Sequence, residues 1–263
     1  MEKLQAALDK ARQTRAVRST TVSSRTQLKT TPSPDAMGAW EALTPITLGG
    51  EALAQHLIVT QEAGAEATPF DILRTKALLQ MRQNGWKRLA ITSPMPKSGK
   101  TTVACNLALG LGRQNDLRSM LFDLDLRDPS VHEFLQVEPA YGIGDVLTGA
   151  VPFSKHAVRH GSNLAISMAT RHELDPTRLL LSEETAEALD EIEATYKPDV
   201  MIFDLPSVLV NDDTRAFLKN VDCALIVARA EHTRFGQFDI CEREIGEHTN
   251  VLGAVLNACR IGV

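Results

Sequence analysis

Thr92-Ser93-Pro94-Met95-Pro96-Lys97-Ser98-Gly99-Lys100-Thr101-Thr102 follows the short apolar run Leu89-Ala90-Ile91. The order reads strand, turn, Gly-Lys-Thr, helix. That order suits a chain that holds a nucleoside triphosphate by its phosphates. Backbone N–H groups wrap the anion, and the helix beginning there adds its positive end. Pro96, Lys97, Ser98, Gly99, Lys100, Thr101 and Thr102 form the expected phosphate-binding set. Lys100 is placed to neutralise the β and γ phosphates, and the Thr101 hydroxyl to take one position on Mg²⁺. Pro94 stands where the GxxxxGK[ST] pattern has its first glycine.

Two downstream runs strengthen this reading. Met120-Leu121-Phe122-Asp123-Leu124-Asp125-Leu126-Arg127-Asp128-Pro129 is an apolar strand ending in acids at alternating positions. Period two puts Asp123 and Asp125 on one side. Open parallel sheets bind ligands beyond their C-terminal strand ends. Two carboxylates there can hold Mg²⁺ waters and orient or deprotonate an attacking oxygen. Val200-Met201-Ile202-Phe203-Asp204 is a second apolar strand ending in an acid, the usual Mg²⁺ partner beside a phosphate loop. A helix cap or a turn explains any one of these aspartates equally well. Three such runs in this chain order favour the site.

The chain has 263 residues, enough for one full domain with an extension. Its formal net charge of −5 does not point to a nucleic-acid partner. Cys105, Cys223, Cys241 and Cys259 contain no CxxC pair. Cys105 and Cys223 lie in apolar patterns and read as reduced core residues, which suits a cytoplasmic chain. No apolar stretch approaches the roughly 18 residues a membrane span needs, and no apolar signal segment opens the chain. Contact with a membrane would run through a partner or a surface patch.

Residues 1–49 read as a flexible, basic, Ser/Thr-rich arm, and 50–263 as the nucleotide-binding domain. Leu4, Ala7, Leu8 and Ala11 can face one way on a short helix. The run from Ser19 to Ser33 buries too little apolar surface to offset its ordering entropy. The arm is a solvated tail, or it touches an acidic partner or an anionic membrane. Helical patterns cover 50–59 and 70–83; Phe70, Leu73, Ala77, Leu78 and Met81 share a face before Gly85. Beyond them, apolar strands alternate with helices: strands at 88–92, 119–124, 164–168, 200–204, 223–228 and 251–257, helices at 99–112, 182–195 and 238–248. This predicts an α/β fold with a mostly parallel central sheet flanked by helices. Lys155, His156, Arg159 and His160 give a basic face at helical spacing, either solvated or a dock for an acidic group. Asp212 and Asp213 either approach the nucleotide or cap the helix after them.

Taken together, these motifs resemble the cytoplasmic kinase domain of the bacterial tyrosine kinases of capsule and exopolysaccharide synthesis. Those kinases are in turn similar to the septum-positioning and chromosome-partition P-loop ATPases. Ile91–Lys100 resembles the Walker A run and Leu121–Pro129 with His132 the Walker A′ run. Met201–Pro206 resembles the Walker B run, with Ser207 where many members have a second proline. Gly142–Gly149 and Asp175-Pro176 follow in family order, and the likeness covers roughly residues 50–260. The resemblance implies a P-loop NTPase that binds ATP and Mg²⁺ and transfers the γ-phosphate to tyrosine. It implies catalytic roles for Lys100, Asp123 as the base and Asp125 as its assistant. It implies metal roles for Thr101, Asp123 and Asp204. Asn257 matches a position that reads the adenine edge; a strand-end turn residue is the alternative. The implied partners are a membrane polysaccharide copolymerase or chain-length regulator at the inner face of the membrane, and further copies of the chain. An ATPase switch and a non-catalytic nucleotide-sensing regulator are the alternatives to a kinase.

Departures from the family bear on its output. The tail of clustered tyrosines that serves autophosphorylation in the relatives is missing, and the two tyrosines here are Tyr141 and Tyr196. Tyr141 reads as a loop residue and Tyr196 as a partly buried helix end. The family's Glu-x-x-Arg-x-x-Arg self-association segment becomes Thr68, Asp71 and Arg74, which puts ring assembly in doubt.

Overall fold

The computed structural model describes residues 34–170 and 172–259. The expected Leu4–Ala11 helix and the Ser/Thr-rich run to Ser33 lie outside the described residues. The elements run α1 (Pro34–Glu41), β1 (Thr44–Ile46), α2 (Gly50–Gln55), α3 (Thr68–Asn84), β2 (Arg88–Thr92), α4 (Lys100–Gly112) and β3 (Ser119–Asp123). Short helices α5 (Val131–Leu135), α6 (Ile143–Leu147) and α7 (Phe153–His156) lead to β4 (Val158–His160) and β5 (Leu164–Ser167). The chain then forms α8 (Pro176–Leu181), α9 (Glu183–Tyr196), β6 (Val200–Asp204), α10 (Asp213–Phe217), β7 (Cys223–Arg229), α11 (Phe235–Gly246) and β8 (Asn250–Asn257).

Among the described residues eight strands form one sheet, in the order β1-β4-β5-β3-β6-β2-β7-β8. Every neighbouring pair is parallel except β4–β5. The expected mostly parallel α/β fold is therefore the observed one. Its cause is legible in the strands. Leu121 and Ile202 pack into one core with α3 and α4, while Phe122 and Phe203 pack into another with α1, α9 and α11. Neighbours along a strand point to opposite faces, so a strand apolar at every position needs helices on both sides. In the second core Phe122 stacks on Phe203 with ring centroids 4.9 Å apart.

The helix ends follow local chemistry. Gly85 stops α3 at φ 73, where a side chain would be strained. Ser182 accepts the Thr185 N–H at 3.2 Å and caps α9. Ala77, Leu78 and Met81 are buried beneath α3, with Phe70 and Leu73 packed at its edge, as the periodicity predicts.

Two local readings change. The sheet begins before residue 50: β1 pairs with β4, and Trp40, Leu43 and Leu48 are core residues. Composition missed them because single apolar residues among polar ones set no visible period. The Lys155–His160 segment is not one helical face. α7 ends at His156, and Arg159 and His160 lie on β4. His156 is buried, bonded to the Tyr141 carbonyl at 2.9 Å and the Ser167 hydroxyl at 2.7 Å. Burial lowers its pKa.

Trp40 anchors α1. Its indole N–H donates to the Tyr196 carbonyl at 2.7 Å, and its ring meets Tyr196 edge-on at 6.2 Å. Trp40→Phe keeps an aromatic ring and loses the donor. It is expected to cost about 1–2 kcal/mol in urea denaturation; an unchanged midpoint would show that the bond to the Tyr196 carbonyl contributes nothing to holding α1.

Candidate functional site

The phosphate-loop sequence joins β2 to α4, and its conformation comes from two residues in the left-handed region. Lys97 has φ 60 and Gly99 has φ 88. Gly99 needs glycine for its conformation, and a Cβ there would also displace the Asn257 amide from its present place. The stem is sewn together by serines. Ser93 and Ser98 both donate to the Met95 carbonyl, at 2.8 and 2.7 Å. Ser93 also meets the Ser207 hydroxyl at 3.0 Å. The segment after β6 runs alongside, with the Val208 N–H on the Ser93 carbonyl and the Leu209 N–H on the Pro94 carbonyl. Pro94 therefore serves as an acceptor where the usual glycine would add a donor.

Pro96 and Lys97 are exposed at the loop's tip, while Ser98 is buried. Lys100, Thr101 and Thr102 open α4, and no side chain caps that end. The first N–H groups of a helix have no partner within it, so they face the concavity of the loop. Ser130, not anticipated from sequence, donates to the Thr101 hydroxyl at 3.3 Å.

The expected acids converge here. Asp123 and Asp204 are register partners on adjacent parallel strands, which puts both carboxylates on one face at the sheet's C-terminal edge. Asp125 lies just past the end of β3, and its carboxylate is 3.5 Å from the Lys100 ammonium. Asp123 is fully buried and accepts the Val131 N–H at 3.1 Å and the Asp125 N–H at 3.3 Å. It thus pins both ends of the loop that carries Asp125. Both carboxylate oxygens of Asp204 are buried without a hydrogen-bond partner.

These surroundings shift all three acids upward. Burial pushes Asp204 to about 7, against the pull of Lys100 and of the Thr101 hydroxyl, which lies close but short of hydrogen-bond geometry. Burial likewise raises Asp123 well above the ordinary carboxylate range, and the Asp204 charge adds to it. Asp125 is raised by burial, with the Lys100 charge the main opposing influence. Buried carboxylates crowded together call for a cation.

Mg²⁺ fits this donor set. An orphaned buried carboxylate beside a threonine hydroxyl offers hard oxygen ligands, directly or through water. Among the described residues no three His, Cys, Asp or Glu side chains form a metal cage. Mg²⁺ beside a nucleotide needs none, because phosphate oxygens and water complete its shell.

Other expected residues lie elsewhere or carry other bonds. Asn257 donates from its amide to the Ser98 carbonyl at 2.9 Å and accepts the Ala258 N–H at 2.9 Å. Asp213 is buried and takes a two-pronged ion pair from Arg127, at 2.6 and 3.0 Å. Asp212 pairs with Arg215 at 2.9 Å and makes no cap bond. Asp71 is held by Arg74 and Arg113, and Arg74 also donates to the Gly110 carbonyl at 2.8 Å. Tyr196 is buried between Trp40 and Phe153, whereas Tyr141 is 46% exposed.

A lysine at a helix start facing strand-end acids, on a mostly parallel sheet with this order, is the arrangement of the P-loop NTPase fold. Comparison with known proteins agrees. The chain is 26% identical over 204 residues to the tyrosine-protein kinase etk of Escherichia coli, an alignment covering 76% of this chain and 28% of that protein. It superposes on the solved kinase domain of Escherichia coli ETK with a TM-score of 0.70 at 23% identity, covering 84% of this chain and 91% of that one. The Pyrococcus furiosus cell division ATPase MinD shares the fold with a TM-score of 0.54 at 23% identity, covering 65% and 71%. No family model matches the chain. The chain spans about a quarter of the length of several curated relatives that it matches. The chain has the α/β fold of the P-loop NTPases and is similar in sequence to bacterial tyrosine kinases and in fold to the septum-positioning ATPases. Among the described residues no helix is long and apolar enough to cross a membrane.

Proposed function

We propose that this chain binds Mg·ATP and transfers its γ-phosphate to a tyrosine of a partner protein in exopolysaccharide or capsule synthesis. The observation that carries the reading is Lys100 at the start of α4, 3.5 Å from Asp125, beside the buried strand-end acids Asp123 and Asp204. Lys100 and the N–H groups of residues 97–102 would hold the phosphates, and Asn257 the adenine edge. Thr101, Asp204 and Asp123 would hold Mg²⁺, which would supply charge neutralisation on the phosphates. The acceptor oxygen forms a bond to the γ-phosphorus as the bond to the bridging oxygen breaks, and ADP leaves. Asp123 would take the hydroxyl proton, once a bound cation offsets the burial and neighbouring charge that raise its pKa and leaves it ionised. Access to it requires the Asp125–Val131 loop to swing away from its carboxylate. Asp125 holds Lys100 in place until phosphate arrives.

The partner class is a membrane polysaccharide copolymerase or chain-length regulator. This places the chain in the cytoplasm, held at the inner face of the membrane through that partner. The motif resemblance supports both. A second reading, an ATPase switch with water as acceptor, is favoured by the tyrosines. Tyr196 cannot reach a neighbouring active site without local unfolding, and the Tyr141 loop is held through its carbonyl by His156.

Incubation with Mg·ATP, followed by phosphosite mapping, tests the reading. Self-phosphorylation is expected to stay well below stoichiometric, with none on Tyr196, while a partner's tyrosines become labelled. Turnover of ATP with no phosphotyrosine on any partner would select the switch. Rapid stoichiometric phosphate on Tyr141 or Tyr196 would restore an autokinase.

A further inference from the structure

Arg229 and Asn257 close adjacent parallel strands and are register partners across the β7–β8 pair. Both reach sideways to the phosphate loop and bind consecutive carbonyls. Arg229 Nη1 donates to the Lys97 carbonyl at 2.9 Å, and Asn257 Nδ2 to the Ser98 carbonyl at 2.9 Å. The two ties are themselves linked. The Ala230 N–H donates to the Asn257 carbonyl at 2.9 Å, and the Arg229 N–H to the Thr233 hydroxyl at 2.8 Å.

Peptide planarity gives these bonds a consequence. A trans peptide unit sends its C=O and N–H in opposite directions. Drawing the Lys97 and Ser98 carbonyls toward the β7–β8 edge therefore turns the Ser98 and Gly99 N–H groups the other way, into the loop. Left-handed residues flank this pair of peptides, at Lys97 and Gly99. Such alternation brings successive N–H groups together as an anion nest. Lys97 has a side chain, so its left-handed backbone needs support from outside the loop. Arg229 provides it with a charge-assisted bond to the Lys97 carbonyl itself.

We infer that Arg229 is a positioning residue of the phosphate site, which fixes the peptide planes that present the Ser98 and Gly99 N–H groups to the triphosphate. This rests on the Mg·ATP reading above. Arg229 also matters differently from Asn257. An Asn257 amide that turns to a purine edge gives up Ser98, whereas the Arg229 tie persists while nucleotide is bound.

The test compares wild type with Arg229→Gln and Arg229→Lys, using Arg234→Gln, an exposed arginine of the following turn, as the charge-matched control. Calorimetric titration with Mg·ATP, Mg·ADP and adenosine reads binding. Limited trypsin digestion of the nucleotide-free protein reads the loop, because the carbonyl Arg229 holds belongs to the Lys97–Ser98 peptide that trypsin cuts. Arg229→Gln is expected to bind ATP and ADP about three- to tenfold more weakly, with adenosine unchanged. Cleavage after Lys97 should accelerate relative to other sites. Arg229→Lys should recover most of both, and the melting temperature should not move. Wild-type affinity together with wild-type cleavage in Arg229→Gln would overturn the inference. A fall in adenosine affinity matching that for ATP would also overturn it, by showing a general defect. If wild type binds neither nucleotide, the Mg·ATP reading fails, and the cleavage arm alone decides whether Arg229 holds the loop.

Discussion

Lys100→Met is expected to lower Mg·ATP affinity by about two orders of magnitude while leaving the fold intact, roughly 2.7 kcal/mol of binding free energy. The side chain is only 10% exposed and lies between the first turn of α4 and Asp125. A triphosphate entering the loop would take over that ammonium, exchanging one carboxylate partner for several phosphate oxygens. Ionic hydrogen bonds of this kind contribute about 1.5–3 kcal/mol each. Methionine keeps the length and bulk of the stem, so packing changes little. The charge balance changes a great deal. Lys100 is the main influence opposing burial at both Asp125 and Asp204. Without it, an anionic ligand meets acids with no counter-charge. Calorimetric titration of the variant, with circular dichroism to establish folding, is the measurement. Unchanged affinity in a folded Lys100→Met protein would move the nucleotide to another place on the molecule.

The sequence carried the sheet and its ligand edge because both are written in patterns longer than a few residues. Val200-Met201-Ile202-Phe203-Asp204 is apolar at every position until it reaches the edge, and that is how a strand covered on two sides must read. The same pattern led to Asp123 and Asp204, whose register pairing follows from parallel strands ending at one level. Short elements were not legible. Thr44-Pro45-Ile46 and Val158-Arg159-His160 are three-residue strands with a proline and charges, and no periodicity shows at that length. His156 carried a misleading signal, because its neighbours Lys155 and Arg159 suggested a basic helical face while its own ring sat between Tyr141 and Ser167. The contacts around the phosphate loop were invisible for another reason. Arg229 and Asn257 bind backbone carbonyls, which every residue has, so no residue type or spacing marks the partner. A charge closing the apolar run of β7 at the ligand edge was the available hint.

Asp204 contributes to the pH response in the same direction as Asp123 and Asp125, whose carboxyls burial also raises. Its carboxyl titrates near 4 in an unfolded chain and at about 7 in the folded one. As pH rises between those values the unfolded state loses the proton while the folded state keeps it. Rising pH therefore favours unfolding across that window, and the cost is constant above it. At about 1.36 kcal/mol per pH unit the total is on the order of 4 kcal/mol. Asp204→Asn removes the ionisation. The variant buries an amide in place of the carboxylate, and a neutral group without partners costs far less than a charged one. Asp204→Asn is accordingly expected to exceed wild type in stability by up to about 4 kcal/mol at pH 8, with the difference closing near pH 4. Under the proposed function, ATP turnover should fall at least tenfold, because the carboxylate that costs stability is the one that would draw Mg²⁺ into the site. Mg·ATP should narrow the gap in stability, since ligand bound to the folded state adds more to wild type than to a variant with a weakened metal site. Urea denaturation at pH 4, 6 and 8, with and without Mg·ATP, reads all of these. Parallel pH profiles for the two proteins would mean that Asp204 keeps an ordinary pKa, held by a partner in solution. A stable variant with full turnover would separate the acid's burial from any part in chemistry. Stability gained together with turnover lost is the pairing expected of a carboxylate retained for its cation, because burial alone would have favoured a neutral side chain.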